Sequence, residues 1–155
     1  MHTGPLKGGQ PVPVDGSTSA HKAVDLACDL GSHYAAELTF LHVLEDAGSP
    51  RIPRELRQYA ELEHVWITEM DVRRSASEEI LQNASARARE DGQERISTQT
   101  EVGDPASMIL AYAKDHDIDL IVLGSRGLGN LKGLLMGSVS HKVAQMAECT
   151  CVAVK

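Results

Sequence analysis

Between Leu120 and Val143 the chain places an apolar run, a glycine-rich stretch and a helical pattern in direct succession. Leu120-Ile121-Val122-Leu123 is continuously aliphatic, the pattern of a parallel strand buried on both faces. Val139, Val143 and Met146 recur at helical spacing, which predicts a helix starting near Ser138. Between strand and helix stand Gly124 and Gly127, then nine residues, then Gly137-Ser138. Glycine carries no Cβ and tolerates positive φ, so such a loop lets backbone close on a bulky anion. The free N–H groups of the helix start then point at that anion. The charge pattern agrees. From Leu120 to Ala147 there is no Asp or Glu, while Arg126, Lys132 and Lys142 are present. The whole chain, in contrast, has 22 acidic and 15 basic residues, a net charge of −7.

The rest of the chain alternates in the same way. Val12-Pro13-Val14 reads as the end of a first strand, expected to be short or distorted because Lys7-Gly8-Gly9-Gln10-Pro11 precedes it. Asp15-Gly16-Ser17 opens a helix with Ser17 or Ser19 as N-cap; Ala20, Ala23, Val24 and Ala27 form its buried stripe, and Gly31 is expected to end it. Glu37 to Leu44 is the second strand. Helical patterns cover Arg54 to about Trp66 and Met70 to Arg89, as two helices or one bent helix, the second burying Ala76, Ile80, Ala84 and Ala88. Arg95 to Val102 is a polar third strand suited to an edge, and Asp104-Pro105 joins a cap to a first-turn proline. Asp119 to Leu123 and Thr150 to Val154 are the last strands. Alternating strands and helices give an α/β fold, an open parallel sheet with helices on both faces. Ligands bind such sheets beyond the carboxyl ends of the strands, where the strand order reverses.

Composition narrows the function. A chain of 155 residues suggests one domain, expected over residues 11–155 behind a flexible Met1–Gln10 segment. The acidic balance argues against a general nucleic-acid surface. No apolar run approaches a membrane span, and Met1 to Gln10 lacks the apolar core of a secretory signal, so a cytoplasmic location is expected. Cys28, Cys149 and Cys151 read as free, packed thiols, and no histidine pair or C-x-x-C suggests a metal site. His42 and His141 fall near the expected site, where a hydrogen-bonded structural histidine is the simpler reading.

The run Gly124-Ser-Arg-Gly-Leu-Gly-Asn-Leu-Lys-Gly-Leu-Leu-Met-Gly-Ser-Val-Ser, with Pro13-Val14-Asp15-Gly16-Ser17 near the N-terminus, resembles the nucleotide-binding branch of the universal stress proteins. The resemblance implies five parallel strands in the order 3-2-1-4-5, with ATP held together with Mg or Mn. On that pattern Pro13, Val14 and Asp15 match the first nucleotide-contacting loop, with Asp15 facing the ribose or a metal-bound water. Val43 matches the position whose backbone reads adenine. Leu123, Gly124 and Gly127 match the ribose and phosphate loop, with Arg126 and Asn130 near the phosphates. Gly137, Ser138 and Val139 match the phosphate-holding helix start. For Asp15 a helix cap or Asx turn is the competing reading.

In that strand order the fifth strand is a free apolar edge, guarded only by Lys155, which predicts a homodimer through the C-terminal strand. Two alternatives differ in class. A slow ATP-cleaving enzyme is one; but no Gly-Lys-Ser/Thr loop, carboxylate pair or activated nucleophile stands out. A nucleotide-independent dimeric interaction module with unknown protein partners is the other, and the complete glycine pattern counts against it.

Overall fold

The computed structural model describes residues 9–45, 52–129 and 136–155. Strands and helices alternate as β1 (Gln10–Pro13), α1 (Thr18–Tyr34), β2 (Leu38–Leu44), α2 (Arg54–Leu62), α3 (Glu69–Glu90), β3 (Ile96–Val102), α4 (Pro105–Asp115), β4 (Leu120–Gly124), α5 (Ser138–Met146) and β5 (Thr150–Val154). Of the Met1–Gln10 segment expected to be flexible, Met1 to Gly8 lies outside the described residues, while Gln10 is not a loose end but a fully buried residue of β1. None of the described helices is long and apolar enough to cross a membrane.

All strand pairs are parallel, and hydrogen bonding divides them into two sheets, β1-β2-β3 and β4-β5, where one sheet of five was expected. The seam has a physical cause. Gln10 N–H donates to Glu37 C=O at 2.7 Å and Val14 N–H to Leu41 C=O at 2.9 Å, so residues 10, 12 and 14 address β2. Residues 11 and 13 address the other edge, where β4 lies in contact. Both are proline and have no N–H to give. Strand β1 can therefore pack beside β4 but cannot donate to it.

Helices cover both faces. Val12, Val24, Phe40, Leu81 and Val122 form one core with α1 and α3, and Leu41, Ile109, Ile121, Leu123 and Val143 form the other with α4 and α5. Phe40 and Leu41, adjacent on β2 and both fully buried, point to opposite cores because strand side chains alternate. Ser17 caps α1, accepting from Ala20 N–H, and Asp104 caps α4 with Pro105 in its first turn.

Two local expectations are corrected, and one left open between alternatives is decided. Gly31 does not end α1; the helix runs to Tyr34 and closes on Ala35 in the left-handed region. A Cβ on Gly31 would stand 3.1 Å from Leu38, so that glycine lets helix and strand pack closely. In α3 the buried stripe passes through Ser77 rather than the exposed Ala76, and the Ser77 hydroxyl lies 3.2 Å from that of Thr100 on β3. Residues 54–90 form two helices, α2 and α3, rather than one bent helix. Cys28 is buried, and burial raises its thiol to about 11. Cys149 and Cys151 are half-buried against the second core; burial raises both, Cys151 to about 11, as expected of packed, un-ionised thiols.

One buried group stands out. Gln10 is fully buried, and neither polar atom of its side chain has a hydrogen-bond partner among the described residues. Leaving a buried amide unsatisfied costs about 1–3 kcal/mol. Gln10→Leu is therefore expected to raise stability by about that amount. Urea denaturation measures it, and a midpoint equal to or below that of the parent protein would refute the assignment.

Candidate functional site

The carboxyl ends of β1, β2 and β4 open into a cavity of about 750 Å³. Its position follows from the seam. Strands β1 and β4 both run toward this edge, and the loops after them diverge to either side. Pro13, Val14 and Asp15 enter from β1, and Val43 from β2. Leu123, Gly124, Arg126 and Gly127 come from β4 and its loop, and Gly137, Ser138 and Val139 from the start of α5. All eleven sequence-predicted site residues thus meet on one wall system. Asn130 and Lys132 lie outside the described residues.

The loops are locked together by named bonds. Ser125 N–H donates to Val154 C=O at 2.7 Å, fixing the β4 loop to β5. Gly137 N–H donates to Ser125 C=O at 2.6 Å, bringing the start of α5 over that loop. Ser140 Oγ donates to Gly124 C=O at 2.5 Å. Ser17 and Ser19 at the start of α1 both donate to the Arg126 carbonyl, at 3.3 and 3.0 Å.

Asp15 makes the Asx turn and also lines the cavity. Its Oδ1 accepts from Ser17 N–H at 2.9 Å, an Asx turn leading into α1. Its Oδ2 faces Gly127, where a Cβ would stand 2.8 Å away. The glycines act through space rather than through φ. Gly124, Gly127 and Gly137 are absent from the positive-φ glycines, which are Gly9, Gly16, Gly92 and Gly103. A Cβ on Gly124 would meet the α1 backbone at Ala20 N and Ser19 C, both at 2.7 Å. A Cβ on Gly137 would make only ordinary contacts, the nearest at 3.5 Å.

Two expectations about charge and histidine change. Lys142 does not line the cavity; its Nζ pairs with Asp104 Oδ2 at 3.1 Å, on the exposed start of α4. Ser107 donates to the same carboxylate from hydroxyl and backbone, and together with Lys142 it lowers the Asp104 pKa to about 2. His141 is exposed and is not part of the cavity wall. His42 is both structural and at the site: Nδ1 lies 2.7 Å from the Val14 carbonyl, tying β2 to β1, while the residue lines the cavity.

Among the described residues no side chain caps the start of α5, unlike α1 and α4, and that start, from Gly137 to Ser140, lines the cavity. Sequence reasoning missed what α3 and α4 contribute. Arg73 and Ile80 of α3 and Pro105 and Ile109 of α4 also line the cavity, and Arg73 Nη1 donates to the Glu45 carbonyl just past β2 at 2.6 Å. Helix spacing marked Ile109 and Ile80 as core residues; nothing in the chain order showed that their helices reach the same opening.

Two carboxylates among the described residues line the cavity, Asp15 and Glu45. Among the described residues no group of three or more His, Cys, Asp or Glu side chains is placed to hold a metal ion. The geometry defines a parallel α/β protein in which a helix start and a glycine loop wall a cavity at the carboxyl ends of the strands. The model of the universal stress protein family matches residues 12–155, and the chain belongs to that family. It is 35% identical to universal stress protein YxiE of Bacillus subtilis (strain 168), over 93% of this chain and 96% of that one. Among solved structures it is similar to universal stress protein UspA from Lactobacillus plantarum, with 27% identity, a TM-score of 0.67 and coverage of 94% and 96%. It is also similar to a universal stress protein in complex with cAMP, with 25% identity, a TM-score of 0.67 and coverage of 94% and 95%.

The crowding at Gly124 separates structural from open glycines. Gly124→Ala is expected to destabilise by about 1–3 kcal/mol, because rigid α1 backbone must move away. Gly129→Ala, where a Cβ meets nothing within 4 Å, should leave stability nearly unchanged. Equal denaturation midpoints for the two variants would refute this reading of the seam.

Proposed function

We propose that this protein is an ATP-binding universal stress protein, a cytoplasmic regulatory module that binds its nucleotide and turns it over slowly or not at all. The observation that carries the reading is the single cavity on which the glycine loop, Asp15 and the uncapped start of α5 converge. The two half-sheets are read as abutting parts of one layer in the order 3-2-1-4-5, supported by the contact between β1 and β4. Pro13, Val14 and the backbone of Val43 take the adenine side, and Asp15 the ribose. Leu123, Gly124, Arg126 and Gly127 take the ribose and phosphates, and Gly137, Ser138 and Val139 the terminal phosphates through helix N–H groups. The donor set fits Mg or Mn carried in on the phosphates. Of the two carboxylates that line the cavity, Asp15 stands beside the glycine loop and is the one read as meeting a metal-bound water; such ions are commonly bound through one or two carboxylates plus substrate phosphates. The bound metal would neutralise phosphate charge; the chain's own groups orient the nucleotide and exclude water from its base.

Calorimetry with ATP and Mg²⁺ tests the reading, and no heat at millimolar nucleotide would overturn it. Gly127→Val is expected to abolish binding in a folded protein, because its Cβ displaces the Asp15 carboxylate and its methyls enter the cavity. Gly137→Ser should change stability by only a few tenths of a kcal/mol, since Ser and Gly are both accepted N-caps. Its hydroxyl would, however, take the N–H groups that the phosphates need, so ATP affinity should fall. Turnover in the parent protein should lie well below the enzyme median of about 10 per second; a rate near that median would favour the ATP-cleaving alternative.

We further infer a homodimer through β5. Strand β5 pairs only with β4, and Cys151, Val152, Ala153 and Val154 are all partly exposed along it. An antiparallel pairing of two copies would satisfy that edge. Val152→Lys and Val154→Pro are expected to shift the protein to monomer in light scattering. A monomeric parent protein at tens of micromolar, or a dimer indifferent to both changes, would refute the inference.

A further inference from the structure

A second surface lies away from the cavity. Tyr59, Leu62, Val65, Trp66 and Met70 fall within one short stretch of chain, and all are exposed, Leu62 at 78% and Trp66 at 96%. Trp66 is the only tryptophan in a chain with 3% aromatic residues. Helix α2 buries only Ala60 and has no substantial packing against any other element.

This exposure is built rather than frayed. His64 takes the left-handed conformation, and Val65 N–H donates to the Ala60 carbonyl at 2.8 Å, closing α2 in the manner of a Schellman turn. Thr68 and Asp71 form a reciprocal capping box that opens α3. Trp66 is held between two defined helix ends, and both caps leave its ring in solvent. Five large apolar side chains exposed within residues 59–70, so positioned, are the mark of an interaction site.

Charge selects the occupant. Residues 59–71 contain Glu61, Glu63, Glu69 and Asp71 and no Lys or Arg. Arg54, Arg57, Arg73 and Arg74 stand on either side of the run, and Arg73 is turned to the Glu45 carbonyl. An acidic apolar face disfavours an anionic membrane, and it disfavours packing on its own copy, which would set Glu61, Glu63 and Glu69 of one chain against those of the other. We propose that this face docks a basic amphipathic helix of a partner protein, an apolar stripe bordered by Lys or Arg. Trp66 and Leu62 supply the apolar anchor, and Glu61, Glu63 and Glu69 steer and orient the partner.

The full chain tests this with its own reporter, because Trp66 is the sole indole. Titration with a designed amphipathic Leu/Lys helix is expected to shift Trp66 emission to the blue saturably, while a Leu/Glu helix of the same pattern does not. Leu62→Asp, at an exposed position where folding is retained by circular dichroism, should weaken binding about tenfold or more. Charge reversal by Glu61→Lys, Glu63→Lys and Glu69→Lys together should switch the preference to the Leu/Glu helix. Equal responses to both peptides, no response to either, or a response that survives Leu62→Asp would each overturn the proposal. So would emission already blue in the free protein that reddens on dilution, which places a second copy on the face. A shift produced by phosphatidylglycerol vesicles but not by the Leu/Lys helix would overturn it in favour of a membrane.

Discussion

The meeting of α1 with the end of β4 is the contact on which the rest of this structure depends. Two half-sheets lie side by side, and β1 offers β4 no donor, because Pro11 and Pro13 occupy the positions that face it. Something other than a hydrogen-bond ladder must hold the halves in register. Helix α1 does so by packing on β1, β4 and β5 together. It comes so close to β4 that only a glycine fits at position 124. The hydroxyls of Ser17 and Ser19 then clasp the Arg126 carbonyl, so the loops after β1 and β4 become one unit.

The cavity is a consequence of that clamp. A continuous ladder would stiffen the layer right up to its edge; here the seam ends where the chain after β1 turns away at Asp15 and the chain after β4 turns the other way. Asp15 spans the gap, with one oxygen on the Ser17 amide and the other toward Gly127. His42 closes the β1–β2 side through the Val14 carbonyl. Pieces that look dispersed in the chain, from residue 13 to residue 139, are therefore fixed relative to one another before any ligand arrives, which lowers the ordering cost of binding.

Much of this was legible in the chain, and the exceptions share a cause. Asp104-Pro105, Ser17 and the Thr150–Val154 strand were readable because caps and apolar runs are local signals. The eleven cavity residues were readable through the family resemblance, which the glycine spacing and the Pro13–Ser17 run carry. Gly31 was misread as a stop signal: a glycine inside a helix and one after it look alike until the neighbouring Leu38 is known. The site glycines were credited with positive φ, whereas their role depends on which backbone or carboxylate approaches them. Arg73 and Ile80 were invisible as cavity residues because helical periodicity reports a buried face, not what it is buried against. The division of the sheet was written in Pro11 and Pro13, but reading it required knowing which edge of β1 faces β4.

The acid-free segment from Leu120 to Ala147 invites an account in which lysines hold an anion, and the structure redirects it. Lys142 is committed to Asp104 on the far side of α5, where it steadies the α4 cap. Within the cavity Arg73 and Arg126 are the described basic side chains, and backbone adds the N–H groups at the start of α5, which no described side chain caps, beside a glycine loop. Such donors are fixed by the fold and lose no side-chain entropy on binding, in contrast to a lysine, whose flexible stem must be ordered. The absence of acidic residues then has a simpler reason than the presence of cations. A carboxylate on that loop could fold back onto the helix start and cap it, as Asp104 does for α4, and the donors of α5 would be spent before a ligand reached them.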